Sequence, residues 1–71
     1  MIRLGKYRHY KGQEYRVIAL AKDENTLEDV VIYETLYDNP ISKVWVRKLK
    51  SFIEEVEVAG KKNSRFEFIE E

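Results

Sequence analysis

Cysteine is absent from this 71-residue chain, so no disulfide staples it and no thiolate can act as nucleophile or metal ligand. Histidine occurs once, at His9, and one histidine without cysteine cannot fill the four positions of a common structural zinc site. Glycine is scarce, and no Gly-rich run leads into a helical pattern, which excludes a phosphate loop. No stretch approaches the roughly 20 apolar residues of a membrane span. The opening MIRLGKYRHY is charged at nearly every second or third position and lacks the apolar run of a signal peptide. A cytoplasmic protein without membrane contact is the expectation, with no metal and no cofactor.

What the chain does have is apolar bulk and evenly matched charge. Its 44% hydrophobic and 37% charged residues describe a compact, well-solvated domain and not a disordered tail. At this length residues 1–71 make one small domain, near the size where a single core barely suffices. Without disulfides, stability must come from that core, with Tyr, Phe and Trp45 supplying much of its volume. The 13 basic and 13 acidic residues cancel but run in blocks. Residues 3–16 carry Arg3, Lys6, Arg8, Lys11 and Arg16 against Glu14. Residues 23–38 carry Asp23, Glu24, Glu28, Asp29, Glu34 and Asp38, and residues 43–50 return to Lys43, Arg47, Lys48 and Lys50. Pairing across neighbouring strands is the expected use of such blocks, and separate basic and acidic faces are the alternative.

Alternation dominates the hydrophobic pattern. In Glu14–Ala21, Tyr15, Val17, Ala19 and Ala21 fall on one side and Ile18 and Leu20 on the other, a strand that becomes buried on both faces. Asp29–Tyr37 sets Val31, Tyr33, Thr35 and Tyr37 against Val30, Ile32 and Leu36. Lys43–Arg47 sets Val44 and Val46 against Trp45 and Arg47, and Arg65–Ile69 points Phe66 and Phe68 inward. Leu49, Phe52, Ile53 and Val56 also recur at helical spacing. The alternating EVEV that follows is hard to place on a helix, so a helical or 3₁₀ turn at Leu49–Phe52 and then a strand through Val58 is expected. Turn signals stand at Lys11-Gly12, Lys22–Thr26, Asp38-Asn39-Pro40 and Gly60–Asn63, with Gly60–Ser64 read as an exposed turn. Short strands at this spacing argue a small barrel or sandwich.

Gly5, Tyr7, His9, Lys11 and Gly12 form a Gly-x-Tyr-x-His-x-Lys-Gly opening, followed by Tyr15 and Val17. Thr26 and Glu28, then Val31, Tyr33, Leu36 and Tyr37, the triplet Trp45-Val46-Arg47, Phe52, and Arg65-Phe66 complete a pattern that covers nearly the whole chain. In this pattern the sequence resembles a bacterial family described only as domain of unknown function 1653. The resemblance implies an all-β, small SH3-like barrel of about five to six short antiparallel strands, and implies no particular activity. The chain departs from the family where His-Ser-Glu-Thr is usual and Asp23-Glu24-Asn25-Thr26 stands here. Lys48 replaces the usual Pro after Trp-Val-Arg, and Ser51 the usual Met before Phe. Any chemistry tied to the turn histidine of relatives is therefore missing.

Six residues are candidates for ligand contact: His9, Lys11, Tyr33, Tyr37, Trp45 and Arg47. Trp45 and Arg47 are two apart on a strand and project to one face, where an indole and a guanidinium can form a platform that Tyr33 or Tyr37 joins. The competing reading places Trp45 in the core and pairs Arg47 with Glu34 or Glu54. His9 could serve as a general base, yet no Ser-His-Asp-like spacing or carboxylate dyad accompanies it, so no catalytic residue is assigned. Packing beside tyrosines, with the ring nitrogens bonded to backbone or hydroxyl, is the expectation for His9. Lys11-Gly12 reads as a hairpin tip. The acidic stretch lacks the Asp-x-Asp-x-Asp-Gly calcium loop and reads as solvated turn and strand edge. Three roles stay open. The first is a recognition module for nucleic acid, another polyanion or a peptide, the second a structural domain that is monomeric or weakly self-associating, and the third a small enzyme using His9.

Overall fold

The computed structural model describes residues 2–71 and contains seven strands and one helical turn. In chain order these are β1 Gly5–His9, β2 Glu14–Lys22, β3 Asp29–Thr35, β4 Val44–Lys48, α1 Leu49–Phe52, β5 Glu55–Val58, β6 Lys61–Ser64 and β7 Phe66–Glu70. The first four strands form an antiparallel meander. The chain then turns through α1, and β7 returns to pair with β1, giving the order β4-β3-β2-β1-β7. β5 and β6 form a separate hairpin. The fold is thus all-β and barrel-like, as the strand pattern and the resemblance both imply, with α1 at the expected Leu49–Phe52.

One face of the curled sheet makes the core. Tyr7, Val17, Val31, Tyr33, Phe52 and Phe66 are buried together, with Tyr15, Leu20, Trp45, Leu49 and Phe68 packed against them. The expected alternation of β3 holds through Val31, Tyr33 and Thr35, all buried. The strand ends at Thr35 and not at Tyr37, and Leu36 is left exposed. α1 exists to deliver Phe52, which is 1% exposed and lies flat on Phe66 at 4.1 Å with 2° between the rings. Four helical residues cannot hold themselves together; Phe52's burial fastens them.

Two sequence expectations are corrected. In β2, a bulge between Val17 and Ala19 breaks strict alternation. A single extra residue swaps the faces of everything after it. Ile18 is thrown outward and exposed, and Leu20, paired with Val31, takes the core side that parity assigned to Ala19. The strand is therefore not buried on both faces. The second correction concerns Gly60–Ser64. These residues are exposed, but Lys61–Ser64 is β6, and the turn is only Ala59-Gly60, with φ of 52° and 79°. Successive positive φ values define a type I′ hairpin turn, whose twist suits two paired strands.

The charge blocks pair mainly across the sheet. Glu14 receives Lys6 at 3.3 Å and Arg8 at 3.0 Å, Glu28 receives Lys48 and Lys50, and Lys22 meets Asp29. Arg3 meets Glu71 and Arg65 meets Glu54 at 2.7 Å.

Candidate functional site

Around Phe66, aromatic, basic and titratable side chains converge. Phe66 opens β7 facing inward and is cross-strand partner to His9. With one face covered by Phe52, its remaining surroundings come from four strands. The His9 ring stands edge-on at 4.9 Å, Tyr15 at 5.6 Å and Tyr33 at 5.8 Å, while the Arg47 guanidinium carbon lies 5.7 Å from the ring centre. T-shaped ring pairs of this kind are favoured by the aromatic quadrupoles.

His9 is half-buried and its Nδ1 accepts the backbone N–H of Lys11 at 3.1 Å. Burial is the first cause that lowers its pKa, followed by the positive charges of Arg47, Arg65 and Lys11. The ring is held neutral, and because Nδ1 accepts, the proton sits on Nε2. The bond orienting His9 comes from backbone, not from a carboxylate. The packing expectation for His9 describes this arrangement.

Trp45 and Arg47 do share a face of β4, but it is the inner one, while Val44 and Val46 are exposed. Trp45 stands opposite Tyr33 and packs on the core, with its indole N–H donating to the Ser42 carbonyl at 3.0 Å. It is a core-edge residue and not an open stacking platform. Arg47 is half-buried. Its Nη1 donates to Ser51 Oγ at 3.0 Å, and its Nε is buried with no hydrogen-bond partner. The pairing with Glu34 or Glu54 does not form. Glu54 is taken by Arg65, and Glu34, in register with Arg16 and Val44, lies on the opposite face of the sheet. No carboxylate among the described residues lies within ion-pair distance of the Arg47 guanidinium.

Tyr33 is in the core, 6% exposed, and Tyr37 sits at its edge. The Tyr37 hydroxyl lies 2.9 Å from that of Tyr15, and Asn39 Nδ2 donates to it at 3.5 Å. Burial and the hydroxyl pairing push the Tyr15 phenol well above the ordinary tyrosine value. Lys11 is exposed on the β1–β2 turn, with its Nζ 5.9 Å from the Tyr10 ring, and does not join the cluster. Of the six expected residues, His9, Tyr33, Tyr37, Trp45 and Arg47 belong to one connected cluster. Tyr15, Phe66 and Ser51 complete it. Tyr15 and Phe66 were legible as inward strand residues, but nothing in sequence order places them beside Arg47.

A groove of about 380 Å³ lies between the β5–β6 hairpin and β1, lined in part by His9. Its charged walls are Arg8, already tied to Glu14, and Glu67. Among the described residues no three His, Cys, Asp or Glu side chains gather as metal ligands, and Asp23 spends its carboxylate on the amides of Asn25 and Thr26. No helix of the described residues is long and apolar enough to cross a membrane.

A family model described as "Protein of unknown function (DUF1653)" matches residues 5–68. The crystal structure of a DUF1653 protein from Bordetella bronchiseptica is 35% identical to this chain, covers 96% of it and 87% of its own length, and superposes with a TM-score of 0.91. No curated protein matches the chain.

Proposed function

This chain belongs to the DUF1653 family of proteins of unknown function, and from that premise we propose that it is a small recognition module whose aromatic and basic cluster around Phe66 holds an anionic group of a ligand or partner. The observation that carries this reading is the Arg47 guanidinium, half-buried against Phe66 and unmatched by any carboxylate. An arginine used only for packing normally satisfies its charge, because a half-buried cation without a counter-ion is costly. Around Arg47 stand the neutral His9 ring and the paired hydroxyls of Tyr15 and Tyr37. Such a set presents positive potential on an aromatic floor, as small barrels that bind peptides or single strands do.

The test is a two-dimensional amide NMR titration with a short single-stranded oligonucleotide and, separately, a peptide with a free C-terminus, at low and moderate salt. The expected result is a set of shifts centred on His9, Arg47, Ser51 and Phe66 with at least one of the two. Shifts confined to the exposed lysines Lys43, Lys61 and Lys62, or none at all, would remove the reading. A second reading, assembly through the open β4 edge, is favoured by the exposure of Val44 at 49% and Val46 at 64%. A molecular mass that rises with concentration in sedimentation would support it.

A further inference from the structure

We propose that the open edge of β4 takes an extended acidic segment of another protein as an added strand. This rests on the reading of that edge as an assembly surface, given above, and assigns its occupant. The first argument is the backbone. β4 ends the sheet, whose order is β4-β3-β2-β1-β7. The Thr35 N–H donates to the Lys43 carbonyl. By the alternation of an antiparallel ladder, Trp45 and Arg47 then also turn their backbone groups toward β3. Val44 and Val46 turn theirs to the open side. The Val44 carbonyl is met there by the Ser42 hydroxyl at 2.8 Å. The N–H groups of both valines and the Val46 carbonyl have no strand beside them. β4 is also the regular edge. At the far edge, β7 carries an extra residue, Ile69, between the partners of Lys6 and Tyr7, and a bulge of this kind discourages further pairing.

The second argument is side chains. Val44 and Val46 stand 49% and 64% exposed on the outer face, where apolar residues of an added strand would pack against them. The third argument is charge. From residue 43 to residue 50 the chain carries Lys43, Arg47, Lys48 and Lys50 and no acid. One carboxylate, Glu28, is shared by Lys48 and Lys50, and none lies within ion-pair distance of Lys43 or Arg47. Glu34, opposite Val44 on β3, has Arg16 on its other side. An acidic strand supplies the missing charge. A second copy does not, because β4 against β4 gathers the basic residues of both along one seam. Basic side chains on an edge guard against that pairing. The β7 of a second copy is acidic but bulged, and Glu70 and Glu71 already stand beside Lys6 and Arg3. Strand addition of this kind draws affinity from the main chain and selectivity from alternate side chains.

The probe is a capped heptapeptide of alternating Glu and Val. One control replaces every Glu by Lys, keeping the pattern and reversing the charge. The other replaces every Val by Pro, keeping the charge and removing the N–H donors a ladder needs. The seam is shorter than a standard interface of about 1,600 Å², so each peptide is carried to millimolar concentration. The intact protein is followed by amide NMR and hydrogen exchange. The expected result with the Glu-Val peptide is saturable shifts at Val44 and Val46, and exchange of their amides slowed by roughly tenfold or more. Binding should weaken as salt rises, and neither control should protect these amides. Lys43→Glu should weaken binding roughly threefold or more. Val46→Pro removes an N–H that β3 does not use and should abolish binding.

If the Pro peptide binds as well as the Val peptide, charge alone is recognised and strand addition is overturned. Equal binding of the Lys peptide overturns the acidic assignment. If no peptide protects Val44 and Val46 but their exchange slows and the molecular mass rises as the protein is concentrated, the occupant is a second copy. The edge reading then stands and the partner assignment fails. If neither peptide nor concentration protects them, both fall. The comparison of the three peptides uses unaltered protein, so it stands even where a β4 variant unfolds.

Discussion

At the scale of single residues, His9 shows how packing alone can make a titrating group matter. Its folded pKa is lowered from the ordinary 6.5, burial being the largest cause. Between the unfolded and folded values the unfolded chain binds more protons, so stability rises with pH through that window. The contribution of a neutral His9 is complete above the unfolded value and is lost as pH falls from about 6.5 to below the folded value. Urea unfolding of the protein and of His9→Gln at several pH values should show a slope below neutrality in the first that is reduced in the second. Equal slopes would mean that His9 titrates normally. Gly5 is a second residue with one job. Its φ is +134°, and a Cβ there would stand 2.6 Å from the Glu70 carbonyl oxygen and 2.8 Å from the Glu71 Cα, both backbone atoms that cannot rotate aside. Gly5→Ala should therefore cost about 2 kcal/mol or more, seen as a lower urea midpoint at unchanged slope. The sequence marked Gly5 through the family pattern, but the reason, a β1–β7 approach this close, exists only once residue 5 meets residue 70.

At the scale of elements, alternation made β4 and the middles of β3 and β7 legible, while Val30 is buried beside Val31 and β7 shifts register against β1 beyond Phe68. It failed in β2, where the bulge at Ile18 adds a residue that no local signal announces; Ile18 looks like any other β-branched strand residue. It failed again at β6, whose KKNS has no apolar residue to reveal a strand and is fixed instead by the positive-φ turn at Ala59-Gly60. α1 was legible from Leu49 and Phe52, and its role gives a sharp test. Phe52→Ala removes the flat partner of Phe66 and edge contacts to Tyr7 and Tyr33. Truncations of this kind cost about 3–5 kcal/mol, against a total of roughly 4–10 kcal/mol for a domain of this size. The variant should be largely unfolded or lose most of its midpoint in chemical denaturation. A loss under 1 kcal/mol, about what a surface change costs, would show that α1 does not hold the Phe66 cluster in place.

For the whole molecule, the blocks of charge visible in the sequence pair mainly with neighbouring segments, the expected use, and not as separate basic and acidic faces. Whether Arg47 would be paired was not legible. Its candidate partners Glu34 and Glu54 were close enough in the chain, and only the register of β3 with β4 and the approach of Arg65 to Glu54 removed them. The same accounting predicts how the molecule meets a nucleic acid. Arg3, Lys6, Arg8, Lys22, Lys48, Lys50 and Arg65 lie within ion-pair distance of carboxylates. Those without such partners, Lys11, Arg16, Lys43, Arg47, Lys61 and Lys62, are spread along the chain, and only Lys61 and Lys62 share a strand, β6. A single strand that neutralises Z phosphates on a protein loses affinity with a log–log salt slope of about −0.7Z. With only Arg47 and at most a neighbour engaged, the slope for a short oligonucleotide should be shallow, about −1, and the affinity weak. A fluorescence-anisotropy series across salt measures it directly. A slope of about −3 or steeper would mean that four or more cations line up on the phosphates, and would put a polyanion at the centre of this protein's chemistry.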